Sequence, residues 1–224
     1  MMRVAVVIKV PPLSRRDIRT KAEEILNAFQ PSALKDTPTD IERFYTVALP
    51  LRTGMRTGSD DLTEFGSNVL GVTNAREKTS YVSTALYDSS RLSDLGRLRA
   101  TMGHEAGHCL LHVPFANFIS RNHGLGLLYR EYNDLPPWKN AEWQAWETSR
   151  QLLMPEQVIR RCLAENYSIR DLAQRFQVNY SFAESWVNIL RRTDEKNYSS
   201  SAGVPLNNFP LNCANNSAGI IQWS

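Results

Sequence analysis

Apolar residues recur at spacings of three and four over 16–29, where Ile18, Ala22, Ile25, Leu26 and Phe29 share a face before Pro31, and this period predicts a helix. A shorter helix is expected over 39–49, bracketed by Pro38 and Pro50. The period then changes. Val69, Leu70 and Val72, then Tyr81, Val82 and Leu86, are β-prone and flank the polar run 73–80, which predicts a hairpin that can extend into a small sheet. The helical period returns from Arg91 to about His112, where Val113-Pro114 is expected to stop it. A stretch rich in Gly, Asn and Pro follows over 117–139, longer than most connections in compact domains and so a candidate functional loop. Helices are expected again over 140–153, after Pro155, over 169–176 and over 182–192; Ser168 with Asp171 three residues on resembles a capping box. The remainder, 193–224, is rich in Ser and Asn and buries too little apolar surface to order itself, so a flexible or draped tail is expected. Its Ile220-Ile221 pair is apolar enough to dock, at a place the pattern does not specify.

Composition changes this picture little. Of 224 residues, 42% are hydrophobic and 22% charged, which excludes a disordered or collagen-like chain. The net charge of +3 is too small to signal nucleic acid by itself. Cys109, Cys162 and Cys213 are widely spaced with no CxxC pair, as expected of free thiols in a reducing compartment. The apolar start at 4–10 is interrupted by Lys9 and is too short for a signal peptide, and no run is long enough to span a membrane, so a cytoplasmic protein is expected.

The chemistry lies in His104-Glu105-Ala106-Gly107-His108, a His-Glu-x-x-His motif inside a helical pattern. Imidazoles at i and i+4 share a helix face and can reach one ion, while Glu105 between them can take a proton from a water on that ion. At about 100° per residue, Leu95, Leu98, Met102, Ala106, Cys109 and Val113 fall in an arc roughly 80° wide, with the two histidines and Glu105 in the neighbouring arc. Such a helix buries one side in the core and turns the other to a cleft. Gly103 and Gly107 each cost up to about 1 kcal/mol relative to Ala, and their small size lets other backbone approach.

A catalytic zinc usually takes a third protein ligand. His112 lies about 12 Å along the axis from His104, too far for all three rings to share one ion, and reads as a supporting or packing residue. The better candidate is Glu142, which shares a face with Ala145, Trp146, Ser149, Leu152 and Leu153; an acid on an apolar face is costly unless coordinated. Glu147 projects about 140° away and is expected to be solvated. Glu147, Glu131, Asp134 and His123 stand as alternatives should Glu142 not serve.

The block from Arg97 through His104-Glu105-Ala106-Gly107-His108 to His112, then Glu142-Trp143-Gln144-Ala145, then Leu152-Leu153-Met154-Pro155, resembles the ImmA/IrrE metallopeptidases. The resemblance extends upstream to Ala22-Glu23-Glu24-Ile25-Leu26 and downstream to the Asp171–Val178 segment, covering about residues 15–192. It implies an α+β fold, mainly helical and minimal zincin-like, with a small antiparallel sheet. The implied layout is an N-terminal segment over 1–14, a metallopeptidase domain over 15–192 and a tail over 193–224. Carried over by motif, His104, His108 and Glu142 are zinc ligands and Glu105 the general base of an intracellular endopeptidase. Several family members cleave a DNA-binding repressor, which makes a helix-turn-helix repressor or other regulatory protein the expected substrate. This chain departs from the family at Trp146, where Asn is common, and at Thr148-Ser149-Arg150, which replaces a usual Phe-Ala-Ala.

The proposed chemistry also needs a donor for the developing oxyanion, and Tyr129, Arg130, Tyr132 and His123 in the long loop are the candidates. Two rival readings accompany the peptidase. One keeps the zinc without proteolysis, as a protein-interaction or transcription-regulatory module. The other places DNA on the helix-turn-helix cadence over 169–190 through Arg160, Arg161, Arg170, Arg175, Arg191 and Arg192, although packing of Leu172, Phe176, Phe182, Trp186 and Ile189 on the core explains that cadence better than DNA does.

Overall fold

In the computed structural model, which describes residues 10–116, 136–201 and 220–222, the first apolar stripe folds as α1, Arg15–Phe29, burying Ile18, Ala22, Ile25 and Leu26. Its start is set by a reciprocal pair outside the apolar pattern. Asp17 N–H donates to the Ser14 hydroxyl oxygen, and Ser14 N–H donates back to the Asp17 carboxylate. Both are amides that the helix itself leaves without acceptors.

Two prolines expected to end helices do not. In the first case α2 (Ile41–Arg43) passes through a wide π turn at Phe44–Ala48 into α3 (Leu49–Thr53), with Pro50 inside it. In the second, α5 (Leu92–Gly107) passes through a π turn at His108–His112, and residues 113–116 stay helical across Pro114. A proline inside a helix lacks an N–H and collides with the carbonyl four residues back. A π turn just upstream, bonded five residues apart, opens the ladder where that collision would fall. The first of these turns is closed by Leu49 N–H donating to Phe44 O.

The hairpin forms between β2 (Gly71–Asn74) and β3 (Thr79–Ser83), antiparallel with Val72 opposite Tyr81. Its strands reach into the polar run, and the Asn74 side chain closes the turn by accepting from the N–H groups of Arg76 and Glu77. Val69 and Leu70 precede the strand, and Leu86 belongs to α4 (Thr84–Tyr87). β1 (Arg56–Asp60) joins parallel to β3 with Gly58 opposite Tyr81, so the sheet is mixed. The Ile220-Ile221 pair docks as β4 (Ile220–Gln222), parallel to β2 with Val72 opposite Ile220.

α6 (Ala141–Leu153) starts at Asn140, whose side chain accepts from the N–H groups of Glu142 and Trp143. Then follow α7 (Glu156–Ala164), α8 (Ile169–Phe176) and α9 (Tyr180–Ser201), the last running past the expected end at Arg192. The Ser168/Asp171 capping box opens α8, and Gln177 turns the chain into α9 at φ 53°. α5 packs against β2 and β3 on one side and α6 on the other; α6 in turn packs on α1. Leu98, Met102, Ala106, Cys109 and Val113 are buried as their arc predicts, whereas Leu95, in the first turn, is 44% exposed. Among the described residues no helix is long and apolar enough to cross a membrane.

Because α6 lies between two helices, its second face is interior as well, and Glu147 is fully buried rather than solvated. Arg15 Nε donates to Glu147 Oε1 at 2.9 Å, and Arg150 lies 3.7 Å from Oε2. Those guanidiniums supply the counter-charge a buried carboxylate requires.

Candidate metal centre

Glycine sets the distance between the two helices that carry the site. A Cβ on Gly107 would lie 2.9 Å from Ala145 Cα and 3.0 Å from its carbonyl oxygen, and one on Gly103 would lie 2.6 Å from Ser149 Oγ. Small residues on both helices thus let α5 and α6 approach backbone to backbone, and Ser149 Oγ donates across the contact to Ala100 O at 2.9 Å. Gly107→Ala is expected to cost about 1–3 kcal/mol by overpacking. By moving α5 off α6 it also separates the groups described next, so weaker metal binding should accompany the lower midpoint in a denaturation titration.

At this contact His104 and His108 from α5 and the start of its π turn meet Glu142 from the first turn of α6. The two Nε2 atoms face each other at 2.9 Å; Glu142 Oε2 lies 3.3 Å from His104 Nε2, and Oε1 lies 3.5 Å from His108 Nε2. One ligand atom from each residue lies within 4.8 Å of the others. A tetrahedral ion with bonds of about 2.0–2.1 Å places its donors roughly 3.3 Å apart, so the three groups fit a single small cation. His112 is not part of the cluster. Its ring instead meets His108, Nδ1 to Nδ1 at 2.8 Å.

Burial and neighbouring charge act oppositely on these groups. Burial disfavours the charged form of His104, but the hydrogen bond and charge of Glu142, with Glu105 beside it, outweigh this and raise its pKa. Burial, and then the charges of His104 and His112, holds His108 well below the usual histidine range. Burial likewise brings His112 down to about 4. Glu105, fully buried, is pushed up to about 7 by loss of hydration, opposed by the charge of His104 and the Thr73 hydrogen bond. A carboxyl group near neutrality is suited to both taking and giving a proton.

Glu105 is held by residues that the motif does not announce. Thr73 Oγ1 on β2 donates to Glu105 Oε2 at 2.6 Å; Thr73 Oγ1 meets Ser80 Oγ at 2.8 Å, and Ser80 Oγ meets the Tyr45 hydroxyl at 2.8 Å. This buried row of hydroxyls leads from the helix at 44–48 through β3 to the carboxylate. Gly71 leaves the room, since a Cβ there would lie 2.8 Å from Glu105 Cδ. The polar run 73–80, whose Thr73 and Ser80 face each other across the hairpin, is the sequence signal for this arrangement. Thr73→Val removes the donor at nearly constant volume; if Glu105 is the base, turnover is expected to fall roughly 10-fold or more with metal content unchanged, as measured by initial rates and metal analysis.

Trp146 packs on His104 with ring centroids 4.4 Å apart, so the departure at this position brings an aromatic wall to the first histidine. Of the other departures, Ser149 bonds across the helix contact, whereas Thr148 Oγ1 donates within α6 to Gln144 O at 2.8 Å and Arg150 pairs with Glu147 on the same helix. The oxyanion candidates His123, Tyr129, Arg130 and Tyr132, and the alternative ligands Glu131 and Asp134, lie outside the described residues.

On the helix-turn-helix side, Leu172, Phe176, Trp186 and Leu190 are buried, and Trp186 Nε1 donates to Met154 O at 2.9 Å. Several arginines named for DNA are engaged within the chain. Arg160 bonds Glu156 and both oxygens of Asp194, Arg161 donates to Leu34 O and Lys35 O, and Arg175 donates to the Tyr167 hydroxyl and pairs with Asp36.

Residues 86–185 match the family model of the IrrE N-terminal-like domain, peptidase M78. The matched segment contains α5, its π turn and α6, and so all three converging side chains together with Glu105. None of the curated proteins compared with the chain matches it significantly.

Proposed function

We propose that this chain, whose residues 86–185 match the IrrE N-terminal-like domain, is a metallopeptidase of the peptidase M78 family and a zinc-dependent endopeptidase, with His104, His108 and Glu142 as ligands and Glu105 as general base. The observation that carries the reading is the convergence of two imidazoles and a carboxylate from different helices on one point, beside a buried carboxyl group. Two nitrogens and one oxygen form a donor set that suits zinc and leaves a position for water. When bound there, zinc acts as a Lewis acid toward a peptide carbonyl and brings the pKa of a water toward 7. Glu105 Oε2 is anchored by Thr73, and Oε1 is buried without a hydrogen-bond partner among the described residues. Oε1 is therefore the oxygen that takes the proton from the attacking water and passes it to the leaving amine.

The substrate in this reading is a regulatory protein, foremost a helix-turn-helix repressor, in the cytoplasm. The family resemblance supports the substrate, and the buried free thiols of Cys109 and Cys162 accord with a reducing compartment. The test incubates zinc-loaded protein with a repressor encoded beside it and follows the products by mass spectrometry. One discrete cut that a chelator abolishes and added zinc restores is expected. An intact repressor removes it as the substrate.

A further inference from the structure

His108 does not choose its own tautomer, and the group that decides it is four residues further along the chain. The chain of bonds starts at Gln144 on α6, whose Nε2 donates to Pro11 O at 2.9 Å and to Trp138 O at 2.8 Å. Two carbonyl acceptors fix the amide orientation, because a flipped amide would place oxygen against oxygen. Gln144 Oε1 therefore faces His112 Nε2, 3.1 Å away, and an oxygen that can only accept requires the proton to be on Nε2. In neutral His112 this leaves Nδ1 as a lone pair. The opposing Nδ1 of His108 lies 2.8 Å away, and two ring nitrogens at that distance share one proton. It belongs to His108 Nδ1, which donates to His112 Nδ1. His108 Nε2, the atom facing His104 and Glu142, is then bare.

We infer that Gln144 and His112 are positioning residues that hold His108 as its Nδ1–H tautomer, presenting an unprotonated Nε2 to the metal. The inference rests on the reading of His104, His108 and Glu142 as metal ligands. A metal-bound histidine usually donates its second N–H to a carboxylate, a backbone carbonyl or water. Here a second histidine takes that place, and the chain of bonds ends on backbone carbonyls at Pro11 and Trp138. The backbone outside α5 and α6 is thereby connected to His108, since Leu13 N–H also donates to Trp138 O at 2.9 Å and Val10 N–H to Lys139 O at 3.0 Å. The reverse arrangement, with a proton on His112 Nδ1, would place hydrogen on His108 Nε2 and block coordination.

The test measures zinc affinity by competition with a chromophoric chelator and reads the His108 tautomer from imidazole 15N spectra of the metal-free protein at neutral pH. His112→Leu is expected to bind zinc about 10–100-fold more weakly. Gln144→Leu, which does not touch His108, should weaken binding in the same direction. His112→Asn offers an Oδ1 where the ring held Nδ1, and should restore most of the affinity, which a purely space-filling role would not require. Wild-type His108 is expected as Nδ1–H, with Nε2–H gaining in His112→Leu. An Nε2–H tautomer in the wild type, unchanged affinity in His112→Leu, or failure of His112→Asn to recover affinity each overturns the inference. Wild-type protein that binds no zinc overturns the metal reading itself, a result separable from these because the tautomer is read without metal.

Discussion

Substituting Gln for Glu105 leaves the zinc content of the purified protein unchanged and lowers peptide cleavage by roughly 10²–10⁴-fold, the range removed with a general acid–base group. Glutamine keeps the shape and can still accept from Thr73 Oγ1, which donates to Oε2 at 2.6 Å. It cannot carry the proton between water and leaving amine. Metal content is preserved because Glu105 contributes no atom to the His104–His108–Glu142 cluster. The substitution also separates the peptidase from a zinc-binding module without proteolysis, since such a module would act equally well with either residue. Full cleavage by the variant eliminates the general-base role, and lost zinc would instead make Glu105 a support of the metal.

Glu142→Ala should lose most of the bound metal. It removes the only carboxylate of the cluster and leaves two imidazoles, and affinity is expected to fall at least 100-fold, beyond the 10–100-fold typical of losing a partner behind a ligand. Metal analysis after dialysis reads the loss directly. A thermal scan with excess zinc reads it independently: at a free concentration of about 100 times its Kd, zinc stabilises the wild type by about 2.7 kcal/mol, and the variant should show little of this. Glu147 cannot substitute, because it faces Arg15 on the opposite side of α6. Normal zinc content in Glu142→Ala would transfer the third ligand to His123, Glu131 or Asp134.

The site was legible where its information is local. His104, Glu105 and His108 occupy one turn of helix, so their shared face follows from the helical repeat alone. The Ser168/Asp171 cap was legible for the same reason. Placing Glu142 beside them required one further step, the cost of an acid on an apolar face, and that face does meet α5. The same reasoning failed for Glu147: the face assigned to solvent meets α1, and Arg15, far away in sequence, neutralises the charge. A periodicity argument assumes one buried side per helix, whereas α6 has two. Pro50 and Pro114 misled in a related way, because the π turns that accommodate them have no signature as simple as a proline.

Local sequence suffices for the His-Glu-x-x-His turn, the caps and most helix positions, because these depend on residues within a few places of one another and on fixed helical geometry. Tertiary structure alone decided the parallel seating of β1 on β3, the hydroxyl row from Tyr45 to Glu105, and the chain from Gln144 through His112 to His108. Each joins segments distant in the chain: the strand pair through backbone amides, the other two through common polar side chains, identifiable only once packing excludes water and leaves them few other partners.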